Sequence, residues 1–145
     1  MATAASQHIQ QFMRSIAEDV KLYQQLLALI QQQKALYLKF DGETLNENIQ
    51  KQMPILNQLG RSASERSQFM RALGLPCNAS SVNRIFNALP ANIATRARQK
   101  WTLLESLVKQ CQQDNHSNGQ SSATFQELVS QLKQPVQHTY EERPF

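Results

Sequence analysis

The chain has 145 residues, 41% of them hydrophobic and only 7% aromatic, with 4 Gly and 5 Pro, a balance that suits one domain of long helices and argues against a sandwich of short strands. Two cysteines, Cys77 and Cys111, exclude a disulfide framework. Met1-Ala-Thr-Ala-Ala-Ser6 has neither the basic start nor the apolar stretch of a signal peptide, and no apolar run approaches the roughly 20 residues of a membrane span, so the cytosol is expected.

The first helix is expected over about 7–39. Ile9, Ile16, Tyr23, Ile30 and Tyr37 recur every seven residues, with Met13, Val20 and Leu27 four places after the first members. A heptad sustained this long implies left-handed, shallow-angle packing against a long neighbour. Asp41-Gly42-Glu43-Thr44 supplies a reversal and an N-cap for a second helix over about 43–73, so the two form a long N-terminal hairpin. Its rows are Ile49, Leu56, Ala63 and Met70 beside Leu45, Leu59 and Leu73. Pro54 lies inside this pattern and is read as a kink, the rival being a break at Met53.

Gly74-Leu75-Pro76 ends that helix. Ser80-Ser81 then cap a short helix over 80–89, and Pro90 fits the first turn of a third long helix over 91–113, whose face is Ile93, Ala97, Trp101, Leu104, Val108 and Cys111. The pattern dissolves at Asp114-Asn-His-Ser-Asn-Gly119, read as a polar turn. A further helix over about 121–134 presents Phe125, Leu128, Val129 and Leu132, and 135–145 reads as a flexible tail. The expected fold is therefore all-α: an antiparallel bundle of four main helices with a left-handed twist, forming a single domain.

No catalytic constellation accompanies these helices. His8, His116 and His138 stand apart, without the spacing of a metal site, and no phosphate-binding or nucleophile motif is present, so neither enzyme activity, metal nor cofactor is expected. Cys111 and Trp101 share the apolar register of the third long helix and read as core residues. A formal charge of +4 and a pI near 9.3 leave nucleic acid open. The cations gather at Arg61, Arg66, Arg71, Arg84, Arg96, Arg98 and Lys100, with Glu65 as their nearest counter-charge, and read as solvated faces. The apolar face from Phe125 to Leu132 either completes the core or, as the least stable element, opens to grip an amphipathic helix of a partner.

Two long N-terminal helices joined by a short acidic turn, Trp101 followed by Asn115-x-x-Asn118-Gly119, and a helix ending in Leu132-Lys133 before a tail with Thr139-Tyr140 are together similar to the FlgN-type flagellar export chaperones. The chain differs from the habit of that family in having Gln120-Ser121-Ser122 after Asn-Gly and Glu141-Glu142-Arg143 after the tail tyrosine. The resemblance implies a cytosolic type III export chaperone that binds the C-terminal helical region of hook-filament junction proteins, prevents their premature self-association and brings them to the flagellar export apparatus. It implies a cargo-binding face at Phe125, Leu128, Val129 and Leu132, export-gate docking through Tyr140, and a monomer or a 1:1 complex with cargo. No nucleic acid and no membrane insertion enter that function. The alternative is a structural coiled-coil adaptor that uses a surface within residues 9–73.

Overall fold

The computed structural model describes the backbone of residues 4–128 and the side chains of residues 6–119. Four helices fill it: α1 (Ala4–Lys39), α2 (Gly42–Ala72), the short α3 (Ala79–Asn87) and α4 (Ala91–Leu128). There is no strand among the described residues. The all-α expectation holds, with three long rods and one short helix.

α1 is the central rod. It packs along both α2 and α4, which make little direct contact with each other. Leu36 apart, its buried positions alternate steps of four and three: Phe12, Ile16, Asp19, Tyr23, Leu26, Ile30, Gln33 and Tyr37, the spacing of a left-handed helical seam. The row 16, 23, 30 and 37 is the expected one. Its companion is 12, 19, 26 and 33, whereas Met13, Val20 and Leu27 are only half-buried. An apolar pattern cannot reveal this companion row, because two of its members are polar.

Polar partners on α2 allow those two members to be buried. Arg66 Nη2 lies 2.6 Å from Asp19 Oδ2, with the two side chains 2% and 0% exposed. Arg66 Nη1 also donates to Ser15 Oγ at 3.1 Å, and that hydroxyl donates to the Phe12 carbonyl at 2.7 Å. Burial pushes the Asp19 carboxyl above its ordinary value, and the Arg66 guanidinium acts against that rise. Arg66 therefore belongs to the core and leaves the basic surface expected of the middle of the chain. Towards the hairpin end, Gln52 Nε2 donates to Gln33 Oε1 at 2.9 Å and to Asn48 Oδ1 at 2.8 Å, and Asn48 Nδ2 donates to the Leu29 carbonyl at 3.0 Å. The residue pairs 19–66 and 33–52 run in opposite directions along the chain, so α1 and α2 are antiparallel.

The helix ends are built from local hydrogen bonds. Asp41 caps α2 by accepting from the Thr44 amide at 3.1 Å, which holds its carboxyl below the ordinary value. The left-handed residue of the reversal is Phe40, at φ 55°, rather than Gly42. The Asp41 amide donates to the Leu36 carbonyl around it, closing the end of α1. Gly74, at φ 72°, ends α2 as expected, with the Leu75 amide donating to the Met70 carbonyl at 2.9 Å. α2 continues through Pro54 without a break at Met53. Asn78, not Ser80 or Ser81, caps α3 by accepting from the Ser81 amide at 2.9 Å, and Ser81 is buried.

The largest departure from expectation is in α4. The polar turn at 114–119 is absent, and one helix runs from Ala91 to Leu128 where two helices over 91–113 and 121–134 were expected. Ala97, Leu104, Cys111 and Asn118 form one buried heptad row, so an asparagine continues the seam that apolar residues begin. Gly119 keeps a helical backbone and is not among the residues of positive φ. The expected helix end at 134 and the tail 135–145 lie outside the described residues.

Two measurements test this packing. Asp19→Ala leaves the Arg66 guanidinium buried without its counter-ion and is expected to cost about 3–5 kcal/mol in urea unfolding, while Asp19→Leu with Arg66→Met recovers most of that loss. Gly119→Ala meets no atom within 4 Å of the added Cβ and is expected to stabilise α4 by about 1 kcal/mol. A loss of stability on Gly119→Ala would instead show that the residue needs a turn conformation.

Candidate functional site

α4 carries Trp101, Asn115, Asn118 and Gly119, and its contacts with α1 show what Trp101 and Asn118 do. Trp101 is a core residue: its ring stacks on Phe12 of α1 at 6.4 Å between centroids and meets Phe86 of α3 edge-on at 6.3 Å. Two turns and more along, Cys111 Sγ points at the Tyr23 carbonyl at 3.8 Å. Burial pushes this thiol up to about 12, so it is inert at neutral pH. Asn118 Nδ2 donates to the Ile30 carbonyl at 2.8 Å. The offset of 88 residues is the same at both contacts, so α4 runs parallel to α1 and in register with it.

The motif residues divide on this seam. Asn118 is buried, Asn115 is half-buried and Gly119 is exposed. The Asn118 amide takes up a second lone pair of a carbonyl already inside a helix, while its own Oδ1 has no partner among the described residues. Such a buried amide contributes more to register than to stability. The heptad row 97, 104, 111 and 118 next reaches Phe125, and the same 88-residue offset brings Phe125 level with Tyr37. Tyr37, Leu36 and Leu45 form a small second core at the hairpin end, with Ile49 packed against it. At that end Leu38 is 70% exposed and Phe40 54%. Phe125 and Leu128 stand in the last two turns of α4, but their side chains, and the whole of Val129, Leu132 and Tyr140, lie outside the described residues.

The opposite end holds a groove of about 590 Å³ between α1 and α2, lined by His8, Phe12, Arg14, Glu65 and Phe69 among others. Its rim mixes both signs of charge. No group of three His, Cys, Asp or Glu that could hold a metal ion occurs among the described residues, and none of the described helices is long and apolar enough to cross a membrane.

Comparison with known proteins agrees with the architecture. The family model described as FlgN protein matches residues 1–142. The chain belongs to the FlgN family. FlgN proteins are chaperones of flagellum biogenesis, and the chain has that general role. A crystal structure of a protein described as a flagella synthesis protein FlgN, from Pseudomonas aeruginosa, superposes with a TM-score of 0.69 at 21% identity, covering 80% of this chain and 93% of that one. At that identity the likeness speaks for the fold. No curated protein matches the sequence. Within the FlgN fold as this chain builds it, Trp101 and Asn118 are positioning residues of the α1–α4 seam, and Asp19 and Arg66 are the buried pair that sequence patterning missed.

The thiols give a direct check of the seam. A thiol reagent at pH 8 is expected to label exposed Cys77 quickly and to leave Cys111 unmodified until the protein is unfolded in denaturant. Equal labelling rates for the two thiols would place Cys111 outside the core.

Proposed function

We propose that the chain is a cytosolic type III export chaperone for hook-filament junction proteins, and that the C-terminal face of α4 binds the helical C-terminus of the cargo. The observation that carries this reading is the register of α4. The seam brings Phe125, with Leu128 three residues on, to the end of the bundle where Leu38 and Phe40 already expose apolar surface. Val129 and Leu132 extend the same spacing beyond it. An amphipathic cargo helix laid against this end buries its apolar stripe, at roughly 25 cal/mol per Å² removed from water. Covering that stripe blocks the self-association it would otherwise drive. None of these steps needs a catalytic group or cofactor. Tyr140 is the proposed contact with the export gate.

Because α4 is one rod across 114–119, the face is not released by a hinge there, as the sequence had suggested. The cargo instead meets the end of a helix held upstream by Cys111 and Asn118. The competing adaptor reading needs a free coiled-coil surface within residues 9–73. The buried rows of α1 are already occupied by its packing against α2 and α4.

Co-purification with junction proteins, intact and with their C-terminal helices deleted, tests the proposal. Leu128→Ala with Leu132→Ala is expected to weaken cargo binding by about tenfold or more, with an unchanged helical circular dichroism spectrum. Tyr140→Ala is expected to retain cargo while secretion falls. Cargo binding that survives both the deletion and the leucine variants would overturn this reading.

A further inference from the structure

The other end of α4 carries a surface that neither the core nor the cargo face uses. Ile93, Arg96, Lys100 and Leu103 follow one another at steps of three, four and three, so they form one stripe about 15 Å long. Ile93 is 43% and Leu103 42% exposed, and the two cations between them are exposed as well. Buried Ala97, Trp101 and Leu104 occupy the core side of the same turns.

The charge around this stripe is one-sided. From Arg61 to Lys100 the sequence holds a single acid, Glu65. Folding withdraws Arg66 into the core opposite Asp19, and Arg98 is engaged by Asn83, Asn87 and the face of the Phe86 ring. Arg96 and Lys100 have no ion-pair partner among the described residues. Two uncompensated cations set between two exposed aliphatic side chains are complementary to carboxylates set between aliphatic side chains.

We propose that this stripe docks an acidic amphipathic helix of a partner protein, its carboxylates meeting Arg96 and Lys100 and its aliphatic side chains covering Ile93 and Leu103. A protein fits better than nucleic acid. The ends of the stripe need apolar atoms to cover them, and it offers no aromatic side chain for stacking on bases. About 33 Å of helix separates Leu103 from Phe125, so this partner and a ligand at the far end can be held together. The proposal is independent of the identity of the cargo.

The test uses the full chain and a synthetic helical peptide bearing Leu-x-x-Glu-x-x-x-Glu-x-x-Leu, which mirrors the stripe in either direction. A version with Lys for Glu and a short DNA duplex serve as comparisons. The Glu peptide is expected to shift the amide resonances of residues 93–103, and Arg96→Glu with Lys100→Glu is expected to weaken it by about tenfold. Ile93→Ser with Leu103→Ser is expected to weaken it as well, and raising salt from about 50 to about 300 mM to weaken it several-fold. Absence of binding, equal binding of the Lys peptide, tighter binding of the duplex, shifts confined to other residues, or indifference to the charge reversal would each overturn it. Cargo co-purification with the charge-reversed chain is expected to be unchanged, which separates this surface from the C-terminal one.

Discussion

α2 and α4 take their positions from α1, which packs along both of them, and the short α3 packs on α4. Asp19 and Gln33 are matched to α2 by the Arg66 ion pair and the Gln52 amide. The Tyr23 and Ile30 carbonyls are matched to α4 by the Cys111 and Asn118 contacts, and Phe12 meets both neighbours through Phe69 and Trp101. A helix with two occupied rows is buried along most of its length, and α2 and α4 need little contact with each other.

The polar members of these rows are costly individually and informative collectively. A buried carboxylate tolerates few placements of its guanidinium partner, and the amides of Asn48 and Gln52 accept only one staggering of α2 against α1. A purely apolar seam allows a slip of one heptad at small cost, whereas here a slip strands a charge. Asn118 does the same for α4 near its end. The seam therefore carries the last turns of α4 to the hairpin end in a defined register. That matters for a chaperone, whose binding surface has to be in place before its client arrives.

The two proposed binding surfaces lie at the two ends of one rod. At the hairpin end, exposed aliphatic and aromatic side chains accompany the end of α4 and suit an apolar client helix. At the α3 end, Trp101 and Phe86 tie α4 to the rest of the core and leave a basic stripe outward. The reactive groups are buried or dispersed: Cys111 lies in the seam and His8 rests edge-on to Phe69.

The sequence by itself determined the helical class, the hairpin, the cap at Asp41, the stop at Gly74 and the core placement of Trp101 and Cys111. Each of these follows from local chemistry or from an apolar period within one segment. Only the tertiary structure decided that Asp19, Gln33 and Arg66 are interior, because the burial of each depends on a partner from another helix. The same reason explains why 114–119, polar and glycine-containing, is helix rather than turn. Asn118 finds a carbonyl on α1 that no reading of its neighbours in sequence could supply, and with that contact the helix continues where local propensity alone would end it.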